Sequence, residues 1–134
     1  MNNHALRAVI LDAATLGEEV SLAPLAAITH LTVHALTAPQ EVADRIRDAQ
    51  VVILNKVKLN ETNLANAAHL KLICVSATGY DNIDVDYCRS RGIAVCNVLG
   101  YSTDSVAQLT VAMVLELMLH QTFQLKVYPS MHLP

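Results

Sequence analysis

Residues Ser76-Ala77-Thr78-Gly79-Tyr80-Asp81-Asn82-Ile83-Asp84 hold the strongest chemical signal in the chain. They join an apolar run, Leu70 to Val75, to a short segment, Val85 to Arg91, that ends at Gly92. The pattern reads as strand, small-residue loop, helix. In an open parallel sheet such loops stand at the carboxyl edge of the strands, where small ligands bind. Ser, Ala, Thr and Gly carry so little bulk that main-chain N–H groups can approach an anion closely. On spacing alone, an ordinary strand-to-helix turn in which Gly79 permits the bend is the better account. Tyr80-Asp81-Asn82 reads as turn formers leading into a helix cap.

Other chemistry-bearing residues offer less. The three cysteines, Cys74, Cys88 and Cys96, have no metal-ligand spacing. Cys74 and Cys96 sit in apolar runs and read as buried core thiols; Cys88, on the short helix, is open to burial or exposure. A catalytic thiol at Cys88 is the sharper reading, and a structural thiol is the better account. His30 and His34 are four apart, but their context alternates as a strand does, so they read as surface or edge residues. His120 falls at a helix end, and neither it nor His69 has an acid/base partner in sequence. No metal site is expected.

Composition narrows the classes further. A chain of 134 residues supports one domain, burying roughly 68% of its unfolded surface. With 16% charged residues and a net charge of −3, it shows no basic cluster for nucleic acid. The longest apolar stretch, Val111 to Leu119, contains Glu116 and is shorter than the roughly 18 residues a bilayer span needs. No signal-peptide pattern opens the chain. The expectation is a soluble cytoplasmic protein with no membrane or nucleic-acid partner.

Positioning a loop such as Ser76–Gly79 requires a sheet behind it. Strand-like runs recur at Ala8–Leu11, Leu31–His34, Val51–Leu54, Leu72–Val75 and Ile93–Cys96, with helical signals between them. Continuous apolar runs separated by helices indicate a parallel sheet buried on both faces. Pro39 suits a first helical position, with Val42, Ile46 and Ala49 on one face. Asn60 suits the cap of a helix reaching Ala68, and Asp84 caps a helix closed by Gly92. Ser105-Val106-Ala107-Gln108 has capping-box form and is expected to open the longest helix, to about His120. A helix near Pro24 is expected to turn Leu25 and Ile28 inward. The architecture is α/β: a flavodoxin-like, doubly wound parallel sheet of about five strands with a long C-terminal helix.

From about Lys56 to Leu119 the chain resembles the D-isomer-specific 2-hydroxyacid dehydrogenase family, of the glycerate dehydrogenase or hydroxypyruvate reductase type. The residues that carry the likeness are Leu70-Lys71-Leu72-Ile73, Thr78 to Asp84, Arg91 to Val98 and Gly100 to Gln108; Asn55-Lys56 fits too, and Leu11 to Gly17 fits more weakly. The resemblance implies a substrate-binding domain over residues 1–100. It also implies a helix over 101–122 leading to a nucleotide-binding domain, and a divergent tail over 123–134. It implies hydride transfer between NAD or NADP and a small 2-keto or 2-hydroxy acid. The substrate carboxylate would be held by main-chain N–H groups of Ser76, Ala77, Thr78 and Gly79, with Asn55 and Lys56 lining the same cleft. Thr78 would also touch the cofactor, and Thr110 either approaches it or packs. Tyr101-Ser102-Thr103 is either helix entry or cleft wall.

The family's catalytic Arg, Glu and His belong to its nucleotide domain or return segment, so no catalytic residue is assigned within these 134. Gly17, Gly79, Gly92 and Gly100 form no G-x-G-x-x-G, so no pyrophosphate cradle is expected here either. The chain is expected to be a dehydrogenase fragment, inactive and without bound cofactor by itself; a truncated or frameshifted gene product is one origin. A non-enzymatic carboxylate-binding or pairing module and one half of a split enzyme are the alternatives.

The 105–120 helix is apolar over most of its circumference, from Val106 and Leu109 to Leu117 and Met118. A helix hydrophobic all round demands burial. Three or four unpartnered side chains of this size forgo about 5–10 kcal/mol, which rivals a domain's whole stability. The isolated chain is therefore expected to be marginal or to pair, as a homodimer, through this helix. Sedimentation should show a concentration-dependent dimer; a stable monomer that binds no hydrophobic dye contradicts it.

Overall fold

The computed structural model describes residues 6–17 and 19–119. Two compact units divide the chain, Met1–Leu99 and Gly100–Pro134. The first holds five strands: β1 (Leu6–Ile10), β2 (Thr29–Val33), β3 (Val51–Leu54), β4 (Leu72–Val75) and β5 (Ala94–Asn97). It also holds four short helices: α1 (Ala23–Ala26), α2 (Val42–Ile46), α3 (Glu61–Leu64) and α4 (Val85–Ser90). The second is described by α5 (Thr103–Leu119).

All four strand pairings are parallel and the order is β2-β1-β3-β4-β5, the flavodoxin-like arrangement. Strand limits fall within one or two residues of the apolar runs. Rows of register partners build one face of the sheet, as in Val9, Val52, Ile73 and Val95. On that face Val52, Leu54 and Ile73 are fully buried, packed with Val42 and Ile46 of α2, Leu64 of α3 and Cys88 of α4.

The other face is thinly covered. Right-handed crossovers place the β1–β2 connection opposite the remaining three, and that connection's helix, α1, is a single turn. Ala8 and Ile10 are still buried, but β3 and β4 alternate buried with half-buried residues, and Ala94 and Cys96 of β5 are exposed. Burial on both faces therefore holds at β1 and fails toward β5. Ile28, expected inside, is 70% exposed because the helix at Pro24 ends at Ala26. The thiols exchange places for the same reason. Cys88 is the core residue, Cys74 is half-buried and Cys96 is exposed.

Local signals explain the helix starts. Asn60 Oδ1 accepts the Asn63 N–H at 3.2 Å, and Asn63 Oδ1 accepts the Asn60 N–H at 3.0 Å. Asp84 Oδ1 accepts the Tyr87 N–H at 3.0 Å. Gly92 ends α4 at φ +68°, where a side chain would be strained. Pro39 opens a 3-10 turn into α2, and Val42, Ile46 and Ala49 are all buried. α3 ends at Leu64, sooner than Ala68, and turns bring Ala67 and Leu70 into the core.

In the second unit α5 begins at Thr103, so Ser105 lies within its first turn and the Ser105–Gln108 box is not a cap. The Ser102 carbonyl accepts the Val106 N–H at 2.9 Å, which makes Tyr101-Ser102-Thr103 the helix entry. Nine large apolar side chains of α5 are 47–73% exposed. Residues 120–134, with His120 and the divergent tail, lie outside the described residues. Among the described residues, no helix is long and apolar enough to cross a membrane.

Substituting Asn60→Ala or Asp84→Ala should each cost about 1 kcal/mol in urea unfolding. Leu54→Ala, which empties a fully buried site, should cost about 2–5 kcal/mol. A cap variant as stable as the parent would show that its side chain does not hold the helix.

Candidate functional site

The carboxyl edge of the sheet is organised around Asp12. It follows β1, where the Leu11 N–H continues the ladder to the Ile53 carbonyl at 3.0 Å. Its side chain is 3% exposed. A buried carboxylate needs several donors, and the chain just past β3 supplies them. The Asn55 N–H donates to Oδ1 at 2.9 Å and Oδ2 at 3.1 Å, and the N–H groups of Lys56 and Val57 donate to Oδ2 at 2.6 and 3.2 Å. Asn82 holds the same segment from its other side: its Nδ2 donates to the carbonyls of Asn55 at 3.2 Å and Val57 at 2.8 Å. A bridge between Leu59 and Ile83 completes the clamp. Asn82 is thus more than a turn former.

Neither Asp12 nor Asn82 stood out as a site residue in the sequence. The signal for Asp12 is an acid set directly on the end of an apolar strand. Asn82 gives none, since its partners are main-chain atoms 25 and 27 positions away.

What the fixed segment presents is the pair Asn55 and Lys56. Lys56 is exposed and, among the described residues, in no ion pair. Asn55 Oδ1 is buried and has no donor. A cleft of about 600 Å³ runs beside Lys56, lined also by Asp12, Thr37, Val42, Lys58 and Thr62. It lies past β1, β2 and β3, where the strand order reverses.

The loop after β4 is built the opposite way. The Ser76 N–H extends the ladder to the Leu54 carbonyl at 2.8 Å, and its hydroxyl donates to the same oxygen at 3.1 Å. That amide is spent. The next two residues are anchored through their carbonyls: the Val98 N–H donates to the Ala77 oxygen at 3.0 Å, and Asn97 Nδ2 to the Thr78 oxygen at 2.7 Å. The N–H groups of Ala77, Thr78 and Gly79 have no acceptor among the described residues. Thr78 and Gly79 are exposed and Ala77 is half-buried. Three successive main-chain donors are therefore held in place and left open to solvent, the makings of an anion cradle.

Gly79 is not in the left-handed region, so the bend does not depend on glycine there. A Cβ at that position would stand 3.2 Å from Asp81 Oδ1. The fold sets Asn55 next to Ser76, past the paired ends Leu54 and Val75 of β3 and β4. Thr110 belongs to α5, in the second unit, and its hydroxyl donates to the Val106 carbonyl at 2.8 Å. His34 is half-buried; burial first, and then Arg45, lower its pKa, so its ring is neutral at pH 7. Among the described residues, no three His, Cys, Asp or Glu side chains gather as a metal site would require.

Comparison with known proteins places this edge in context. The catalytic-domain profile of the D-isomer specific 2-hydroxyacid dehydrogenases matches residues 8–127. The chain belongs to that family. A hydroxypyruvate reductase of Blautia hydrogenotrophica is 36% identical over 86 residues, 64% of this chain and 27% of that protein. A glycerate dehydrogenase of Methylorubrum extorquens is 33% identical over 79 residues, 59% of this chain and 25% of that protein. Among solved structures, D-lactate dehydrogenase of Aquifex aeolicus with NAD and lactic acid superposes with a TM-score of 0.76 at 25% identity. That match covers 96% of this chain and 39% of the other. The chain thus spans roughly a quarter to two fifths of these relatives. What it shares with the 2-hydroxyacid dehydrogenases is the catalytic domain, the part that carries the two loops described above.

Removing the Asp12 carboxylate leaves three inward N–H groups unpaired, so Asp12→Ala should cost about 3–5 kcal/mol. Asp12→Asn, which keeps one acceptor oxygen, should cost less. Urea unfolding measures both, and hydrogen exchange should quicken at Asn55, Lys56 and Val57. Unchanged exchange there would show that the carboxylate does not hold the loop.

Proposed function

We propose that the N–H groups of Ala77, Thr78 and Gly79 hold the carboxylate of a small 2-keto or 2-hydroxy acid. On this reading the chain carries the substrate half of an NAD(P)-dependent D-2-hydroxyacid dehydrogenase. One observation carries the reading. Two neighbouring loops offer three N–H groups each; one set closes on the Asp12 carboxylate and the other is empty of protein acceptors. The filled loop shows what the open one suits. Lys56 lines the neighbouring cleft with Asp12 and Thr62, a cleft whose wall does not include Ser76 to Gly79, and we assign it the role of drawing an anion to this edge. A buried Asn55 Oδ1 lacks the donor that a ligand hydroxyl or a water would bring. Ser76 contributes by fixing the loop, since its amide is already engaged.

A nicotinamide cofactor supplies the hydride in such a reaction. Thr78, exposed at the loop, is our candidate to meet it, whereas Thr110 spends its hydroxyl on its own helix. No glycine-rich cradle for a pyrophosphate occurs in these 134 residues. The work of this chain is to bind and orient: the carboxylate on main-chain N–H groups, the carbonyl end turned toward the opening. Proton transfer and hydride delivery fall to residues beyond this set, so the chain alone turns nothing over. In this arrangement residues 1–100 are the substrate domain and α5 leads toward a nucleotide-binding domain. The apolar surface of α5 is then a pairing surface, for a second copy of the chain.

Amide-resolved NMR titration with glyoxylate and with hydroxypyruvate tests this. Ala77, Thr78 and Gly79 should shift saturably, acetamide should leave them unmoved, and Lys56→Ala should weaken binding about tenfold. Asp81→Asn, which removes a negative charge beside Gly79, should tighten it. Shifts confined to Lys58 and Thr62, or absent, would end the carboxylate reading. The chain alone should oxidise no NADH with either acid, and turnover by itself would overturn the half-site reading.

A further inference from the structure

Cys74 and Cys96 are register partners on adjacent strands, β4 and β5. The Cys96 S–H donates to Cys74 Sγ across 3.5 Å, and both thiols are free. They lie on the sheet face away from α2, α3 and α4, with Cys74 half-buried and Cys96 exposed. The third thiol, Cys88, is sealed in the core. A reagent reaching this face meets Cys96 first, with Cys74 already in contact behind it.

We propose that Cys74 and Cys96 form a dithiol that hydroperoxides oxidise to a reversible cross-strand disulfide. In the first step the Cys96 sulfur takes the distal oxygen of the hydroperoxide. The O–O bond breaks, an alcohol (or water, from hydrogen peroxide) leaves, and Cys96 becomes a sulfenic acid. In the second step the Cys74 thiolate attacks that sulfur. The S–S bond forms, the S–O bond breaks, and the departing hydroxide leaves as water with the proton Cys74 has shed. Two thiols lose two protons and two electrons, and the peroxide accepts them.

Geometry sets the character of the bond. Adjacent strands run about 4.8 Å apart, whereas a disulfide draws its Cβ atoms to about 3.8 Å. Closure must pinch β4 and β5 together by about 1 Å, and a disulfide under such strain is easily reduced. The pinch falls one and two residues before Asn97 and Val98, which anchor the carbonyls of Thr78 and Ala77. Oxidation therefore shifts the edge that presents the three open N–H groups. This last consequence rests on the function proposed above; the cross-link itself does not.

The pH dependence follows from Cys74. Burial first, and then its hydrogen-bonded pairing with the Cys96 thiol, push its thiol up to about 12. At neutral pH its thiolate is scarce, so closure should quicken about tenfold per pH unit from pH 7 to 9.

Treating the full chain with hydrogen peroxide tests the proposal. Intact mass should fall by two hydrogens, and dithiothreitol should restore it. Cleavage at Asp81, Asp84 and Asp86 and after Arg89 and Arg91, which parts all three cysteines from one another, should release a Cys74–Cys96 linked pair. Cys96→Ser should abolish the link, and Cys74→Ser should stop at a Cys96 sulfenic acid that dimedone traps. In strong urea, closure should slow about tenfold or more, as the thiols lose their juxtaposition. A parent chain that advances to Cys96 sulfinic acid unlinked, links through Cys88, or links as fast in urea overturns the proposal. Amide titration of the linked form separates the two readings. Unaltered carboxylate binding refutes the effect on the loop, while no binding in the reduced form refutes the function and leaves the dithiol intact.

Discussion

The carboxyl edge of this domain depends on one buried charge. Asp12, at the end of β1, is withdrawn from water and held by the N–H groups of Asn55, Lys56 and Val57. Desolvating a carboxylate is costly, so its donors must be fixed and complete. Satisfying it dictates the path of the chain after β3. That path sets Asn55 beside Ser76 and lets Asn82, from the loop after β4, reach the carbonyls of Asn55 and Val57. A single acid thus couples three loops that are far apart in sequence.

The same edge shows why an open set of main-chain donors is informative. Main-chain N–H groups in a fold are almost always paired, with protein or with water. The loop over Ala77 to Gly79 is no unmade version of its neighbour, because the carbonyls of Ala77 and Thr78 are bound by Val98 and Asn97. It is rigid in one half of its hydrogen-bonding capacity and open in the other. Such a loop meets an anion without first having to be ordered.

Much of the fold can be read from local pattern. Apolar runs located every strand, and Asn60, Asp84 and Gly92 marked helix limits that their own hydrogen bonds or backbone angle enforce. Where local signals misled, a longer-range fact had taken over. Ser105 matches a capping box, yet the helix starts two residues earlier, with the Ser102 carbonyl in the capping place. Cys74 and Cys96 sit in apolar runs, but hydropathy does not reveal that α1 is one turn long and leaves their face uncovered. The site was legible in type and not in detail. On spacing alone the small residues after β4 read as an ordinary turn, and it was the family resemblance that pointed to an amide loop; the loss of Ser76 to the ladder and the anchoring by Asn97 are three-dimensional facts.

A grip made of main-chain N–H groups has a further consequence. These donors do not titrate, so under the proposed function the hold on a carboxylate would be steady wherever the ligand is ionised, and substitutions at Ala77 or Thr78 need not weaken it. What it cannot do is move a proton, since general acid–base chemistry needs a group whose charge changes near working pH. Among the described residues at this edge, burial and then Arg45 lower the pKa of His34, and the Asp12 carboxylate is taken up by the N–H groups of Asn55, Lys56 and Val57. Binding and proton transfer are therefore separable in this architecture. Under the proposed function, binding would follow the spacing of β4 and β5, which sets the anchors Asn97 and Val98, rather than the identity of any ionisable side chain within the loop.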